Sequence, residues 1–222
     1  GGQGAPLVPP FHKALFGNAD HAVVLNIGGI SNVSILGDTP SGYDTGPGNC
    51  LMDEWCQQHG HGAYDADGRW AASGTVIADL LQCLLSDPYF STPTPKSTGR
   101  EYFHAEWLAA HEPEKFAPED VQATLCELTA RCTIDALVRS APHLGEIIVC
   151  GGGRLNSNLL KRLRDSSGWE VRSCDDLGID GDAIEAAAFA WFAHQTINAQ
   201  PSNEPAVTGA TGYRVLGAIY PG

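Results

Sequence analysis

Two short apolar runs, each closed by glycines, do most to restrict what this chain can fold into. AVVLNIG (22–28) leads into Gly28-Gly29, and GEIIVC (145–150) leads into Gly151-Gly152-Gly153. Compact runs of β-branched and aliphatic residues bounded by glycine read as buried strands. NVSIL (32–36) follows the first run so closely that the two form a hairpin around Gly28-Gly29. After a turn at Gly37–Pro40, SGYDT (41–45) makes a short third strand, broken by Gly46-Pro47-Gly48-Asn49. The second run opens into a helix, RLNSNLLKRLRD (154–165), and then another strand, WEVRSC (169–174).

Helical spacing accounts for most of the remainder. LMDEWCQQH (51–59) reads as a helix and residues 60–73 as a loop. GTVIADLLQCLLS (74–86) carries Val76, Ile77, Leu80, Leu81, Leu84 and Leu85 on one helical face. Five prolines make 87–118 an irregular excursion, with a short helix near HAEWLAAH (104–111). A long helix over 119–141 starts just after Pro118, with Val121, Leu125, Leu128 and Cys132 repeating at three- and four-residue steps. DAIEAAAFAWFAHQTI (182–197) is an Ala-rich helix. Residues 1–21 and 200–222 are rich in Gly and Pro and read as an entry segment and a tail that packs back. The order β-β-β-α, insertion, α-β-α-β-α predicts an α/β unit over 22–199: a mixed sheet flanked by helices, with a helical insertion at about 60–118. Its expected core is Val24, Leu25, Ile27, Val33, Ile35, Ile147, Ile148 and Val149, flanked by Leu125, Leu128, Leu159 and Phe189.

Charge and cysteine usage exclude several function classes. The 222 residues carry 13 Lys+Arg against 26 Asp+Glu, a formal charge of -13. Such a surface repels phosphate backbones and anionic lipid, so neither a nucleic-acid groove nor a polybasic membrane contact is expected. No apolar run approaches the roughly 20 residues that span a bilayer. GGQGAPLVPP lacks the basic start and apolar centre of a signal peptide, and a chain beginning at Gly1 is expected to be cut from something longer. The seven cysteines are odd in number and show no C-x-x-C pair, which predicts free, mostly buried thiols in a reducing compartment and argues against structural zinc.

Several clusters can carry chemistry. Three glycines between a strand and a helix let the backbone approach a phosphate or nucleotide; tight turns needing positive φ are the alternative, but three successive glycines exceed what a turn requires, whereas for Gly28-Gly29 the two readings are level. The spacing is not G-x-G-x-x-G, so a dinucleotide site is not indicated. Asp44, in YDTGPGN, is expected at a strand end, where carboxylates face the ligand crevice of α/β sheets and act as general bases; a turn Asp is the alternative. Asp44-Thr45-Gly46 also matches an aspartic-protease loop, but there is one copy and the pattern is not all-β. Glu185 lies on a helix of Ala and aromatics, where a lone carboxylate is costly unless paired or facing a cleft; a first-turn acid favoured by the helix dipole is the alternative. KSTGRE (96–101) offers Lys96 and Arg100 to an anionic substrate group, or is a solvated loop. Asp65-x-Asp67-Gly68 lacks the closing Glu of a calcium loop and reads as a turn.

Taken together, GGQGAPLVPPFH (1–12), LNIGGISNVSIL (25–36), GYDTGPGNCLMDEW (42–55), DADGRWAASG (65–74), PKSTGREYF (95–103), VCGGGRLNSNLLKRL (149–163), IEAAAFAW (184–191) and VTGATGYRVLGAIYPG (207–222) resemble the anhydro-N-acetylmuramic acid kinase family from end to end. The resemblance implies a ribonuclease-H-like lobe of the actin/hexokinase/Hsp70-type ATPase fold, the second of two lobes with ATP in the cleft between them. It implies a reaction in which water opens the 1,6-anhydro bond of the sugar while ATP, with Mg2+, phosphorylates O6. Asp44 matches the family's catalytic Asp. Glu185 matches an active-site Glu near the sugar, and Gly46, Gly48 and Asn49 line the turn beside Asp44, with Gly46 and Asn49 expected on the sugar side. Asn26, Gly28, Gly29, Ser31 and Asn32 match the phosphate-side hairpin; Gly151, Gly152, Gly153 and Asn156 match the nucleoside-side loop. The ligands of the metal are not implied. A cytoplasmic homodimer is implied. The family's first-lobe phosphate loop, G-T-S-x-D-G-x-D, does not occur here, so most of that lobe is expected to lie outside this chain, which alone should be inactive.

Overall fold

The computed structural model describes residues 7–17, 21–38, 40–141 and 143–220. Residues 1–6 and 18–20 of the expected entry segment, Thr39 of the turn after the hairpin, Pro142 and the last two residues of the tail lie outside the described residues. Strands β1 (Ala22–Ile27), β2 (Ile30–Ile35), β3 (Ser41–Pro47), β4 (Glu146–Cys150) and β5 (Glu170–Ser173) form one sheet in the order β3-β2-β1-β4-β5. β1 pairs antiparallel with β2 and parallel with β4; β2–β3 is antiparallel and β4–β5 parallel. The mixed sheet expected from the element order is therefore present. A parallel neighbour needs a crossover, and everything between β3 and β4 supplies it.

The helices follow in chain order: α1 (Pro9–Phe16), α2 (Cys50–Gln58), α3 (Arg69–Ser73), α4 (Ala78–Leu85), α5 (Pro88–Ser91), α6 (Ala105–Ala109), α7 (Pro118–Ser140), α8 (Ser157–Ser167), α9 (Ile184–Ile197) and α10 (Pro205–Thr208). Side chains alternate across each strand, so the sheet has two apolar faces. Val23, Leu25, Ile27, Val33, Ile147, Val149 and Val171 share a core with Leu51, Leu84, Leu125, Leu128, Leu159 and Leu163 from α2, α4, α7 and α8. Ala22, Val24, Ile148 and Cys150 face the other way, packed with Phe11 of α1 and Ile184 and Ala188 of α9. The 23-residue α7 is buried along most of its length because helices and sheet surround it; it starts with Pro at its first turn and has Glu119 and Asp120 there. Six of the seven free cysteines are buried; Cys83 is exposed.

Three local expectations change. Pro9-Pro10 does not keep the entry segment irregular: it begins α1, since proline's missing N–H costs nothing in a helix's first turn. The loop expected over 60–73 contains α3, whose first N–H groups are accepted by a distant cap: Trp70 N and Ala71 N donate to the two oxygens of Asp65, at 2.9 and 2.8 Å. Phe189 is not core but 67% exposed, because α9 turns Ile184 and Ala188 inward, with Trp191 and Phe192 partly buried beside them. In the tail, α10 packs against β3, and Thr196 of α9 donates to Leu216 O. No helix among the described residues is long and apolar enough to cross a membrane.

One buried contact predicts a pH effect. His12 of α1 lies 2.8 Å from Ser34 Oγ of β2, and burial lowers its pKa from 6.5 to about 4. The unfolded chain therefore takes up a proton that the folded one refuses between those values. Stability is lost as pH falls from 6.5 and levels off near 4, by up to about 3 kcal/mol from this group. Urea unfolding of His12→Gln is expected to show a smaller loss between pH 7 and pH 4.5 than the natural sequence.

Candidate active site

Residues directly opposite each other in a sheet point to the same face. Asn26 of β1 stands opposite Asn32 of β2 and Cys150 of β4, and Asn32 stands opposite Asp44 of β3. Cys150, Asn26, Asn32 and Asp44 thus form one row across four strands. The neighbouring row on that face, Ile148, Val24, Ser34 and Gly42, is buried. α1 covers its end: a Cβ on Gly42 would meet Pro9 Cγ at 2.9 Å. In the site row the two amides and the carboxylate are only half-buried, and neither Asn side chain has a hydrogen-bond partner among the described residues. Polar side chains on an otherwise apolar sheet face are costly unless something meets them.

Two glycine turns close the end of this row. The β1–β2 turn is docked on the start of α2: Gly48 N and Cys50 N donate to Gly29 O, at 2.9 and 3.1 Å, and Asn49 N donates to Gly28 O at 2.8 Å. The first N–H groups of α2 are thereby spent on the hairpin. After β4, the three glycines have three separate reasons. Gly151 has φ +74, and a Cβ there would meet Asn26 Oδ1 and Ile27 O at 2.7 Å. Gly153 lies against β1, where a Cβ would stand 2.4 Å from Ile27 Cγ2. Gly152 alone is open, with only Asn49 Nδ2 near it at 3.8 Å. A 3₁₀ turn follows, and Asn156 caps α8 by accepting from Leu159 N at 2.9 Å. Arg154, buried in that turn, ion-pairs with Asp175 and Asp182, both at 2.8 Å, and ties the loop to the start of α9.

A cavity of about 230 Å³ opens beside this loop, lined by Gly152, Gly153, Asn156, Asn49, Met52, Asp53 and the exposed Tyr64 and Leu155. Asp53 is half-buried, and burial raises its carboxyl to about 6 against the opposing pull of Arg100.

Asp44 is held from one side only. Its N–H donates to Lys96 O at 3.0 Å, and its carbonyl accepts from Tyr89 Oη at 2.7 Å. Its Oδ2 accepts from Ser97 Oγ at 2.8 Å and Thr98 N at 2.9 Å. Burial pushes its carboxyl above the usual carboxylate range, opposed by those two bonds. Asp44 does not end its strand as expected: β3 runs on to Pro47, and Thr45 is passed over as the register shifts between Ser31 and Asn32.

The structure brings Asn32, Asp44, Gly28, Gly29, Gly151, Gly152, Gly153, Asn156 and Asn49 to one end of the sheet. It moves Asn49 from the expected sugar side to the cavity beside Gly152. Three of the expected site residues are committed within the fold. Ser31 is buried, its hydroxyl 2.6 Å from Thr45 Oγ1 and donating to Gly46 O, so that hydroxyl is committed within the sheet. Gly46 is buried where a Cβ would meet Phe90 and Cys132, which gives packing as the reason for a glycine there. Lys96 is neither solvated nor free: its ammonium donates to Tyr89 O at 2.9 Å and sits over the Tyr89 ring. Arg100 is exposed, and its guanidinium lies across Gly29. Glu185 is not enclosed by its apolar neighbours; it is exposed in the first turn of α9, with no side-chain partner among the described residues. Sequence reasoning missed the holding of Asp44 by residues 89–98, for which a separation of more than 40 residues leaves no local signal.

The sequence profile described as anhydro-N-acetylmuramic acid kinase matches residues 1–222. The chain belongs to this family. Relatives named anhydro-N-acetylmuramic acid kinase are 54% identical in Pseudomonas syringae pv. tomato, 52% in Aliivibrio fischeri and 50% in Bordetella pertussis, each covering all of this chain. The chain spans 62%, 62% and 60% of their lengths. Among solved structures, xylulose kinase from Rhodospirillum rubrum superposes with a TM-score of 0.51 at 14% identity, covering 85% of this chain and 40% of that enzyme. That likeness fixes the fold as the actin/hexokinase-type ATPase lobe that the family resemblance implies.

Proposed function

We infer that this protein acts as a kinase on anhydro-N-acetylmuramic acid, opening the anhydro bond with water and phosphorylating O6 from ATP. The observation that carries the reading is the polar row ending at a half-buried carboxylate beside two glycine turns, in a chain of this family. Asp44 is the general base: its Oδ1 has no partner among the described residues, and a raised carboxyl is better matched to accepting a proton from water near neutral pH. The residues fit a nucleotide on this lobe's side. Gly152 is open, Gly151 and Gly153 let the loop lie against β1, and the Asn26 and Asn32 amides offer donors with no partner among the described residues.

In this reading Gly151, Gly152, Gly153, Asn156 and Asn49 take the nucleoside side, and Gly28, Gly29 and Asn32 the phosphate side. Arg100 and Glu185 lie toward the sugar, with the exposed Arg100 a cation for its carboxylate. ATP supplies the phosphoryl group, and Mg2+ offsets its charge through phosphates, water and one or two carboxylates. The first lobe implied by the family supplies the facing wall of the cleft, and a cytoplasmic homodimer is the expected state. Full-length protein given ATP is expected to release ADP only when the anhydro-sugar is present. Release that ignores the sugar, or follows another sugar instead, would overturn the reading.

A further inference from the structure

The segment that leaves the helical layer after α4 is fastened to Asp44 more completely than a loop passing a strand needs to be. Tyr89 and Lys96 hold the Asp44 backbone, and Ser97 and Thr98 hold one carboxylate oxygen. The segment is itself rigid. Tyr89, Phe90, Phe103 and Trp107 pack ring to ring at 5.1–5.9 Å, Arg139 of α7 donates to Phe90 O at 3.0 Å, and Trp107 Nε1 donates to Asp87 at 2.9 Å. Two donors on Oδ2 fix the carboxylate plane and leave Oδ1 to accept the proton. Beside them, Thr98 Oγ1 is buried with no partner among the described residues.

We propose that Ser97 is a positioning residue for the reaction: its hydroxyl holds the Asp44 carboxylate in the orientation from which Oδ1 takes the proton of the attacking water. This rests on Asp44 being the general base. The excursion over 87–118 is then part of the active-site wall and not a lid. The other titratable groups facing Asp44 are Tyr89, whose hydroxyl burial holds far above its ordinary range, and Lys96, lowered by burial and turned to Tyr89 O. His12, in the next row, bonds Ser34.

The test is steady-state kinetics of full-length Ser97→Ala, Ser97→Thr and Asp44→Asn across pH. Ser97 is exposed, so the alanine variant is expected to fold, with an unchanged thermal midpoint. Losing a bond that favours the charged carboxylate raises its pKa, so the acid limb of kcat moves to higher pH. Turnover at neutral pH is expected to fall roughly ten- to a hundredfold with both KM values within about twofold, and Ser97→Thr restores both readouts. A Ser97→Ala enzyme with normal kcat and an unmoved acid limb overturns the proposal. So does a rise in KM alone, which would make Ser97 a substrate contact. Activity in Asp44→Asn would instead overturn the general-base reading itself.

Discussion

Asp44→Asn is expected to lower sugar-dependent turnover of the full-length enzyme by roughly 10²–10⁴-fold while leaving its nucleotide affinity within about twofold. The amide keeps the shape and the oxygen that accepts from Ser97 and Thr98, so the geometry of β3 survives. It removes a charge that burial already disfavours, so the thermal midpoint should hold or rise. Only the ability to take a proton is lost. A variant with normal turnover removes Asp44 from the chemistry. One that loses nucleotide affinity as well would show that Asp44 helps hold the nucleotide instead of activating water.

Gly48→Ala is expected to produce the largest structural effect of a single methyl at this site. A Cβ there would stand 2.3 Å from Gly28 O, 3.0 Å from the Ile30 carbonyl carbon and 3.1 Å from Ser31 N, all backbone atoms that no rotamer change can move. The hairpin tip must lift off α2, weakening the three bonds that dock it. Overpacking of this kind costs about 1–3 kcal/mol. Urea unfolding should show that loss, and nucleotide affinity should fall with it because Gly28-Gly29 shifts. Gly152→Ala is the control: its Cβ has only Asn49 Nδ2 at 3.8 Å, so stability should hold. Unchanged stability in Gly48→Ala would mean that hairpin and helix are not docked as described.

Much of this architecture was legible because local and global signals agree. The β-runs ending in glycine, the apolar steps of α7 and the element order all point to a mixed sheet between helices. Where they failed, the cause was a distant partner or a face that only the fold defines. Asp65 starts α3 from four residues upstream, and Phe189 sits on an apolar helix whose inward stripe is elsewhere. At the site, glycine patterns located the turns but not their purposes, since Gly151, Gly152 and Gly153 answer to backbone conformation, open space and Ile27 in turn. Lys96 shows the same limit. KSTGRE reads as a cationic loop, but the aromatic cluster that buries its first residue comes from Tyr89, seven positions away. With Lys96 withdrawn, the proposed binding of anionic ligands by an acidic protein would rest on Arg100, two amides with no partner among the described residues and the glycine turns.

The most direct measurement is a crystal structure of the full-length enzyme with a non-hydrolysable ATP analogue and the anhydro-sugar. The account predicts the base and ribose beside Gly152, the phosphates over Gly28 and Asn32, and Asp44 Oδ1 within hydrogen-bond reach of a water facing the anomeric carbon. A sugar bound away from Asp44, or phosphates that approach neither glycine turn, would contradict it.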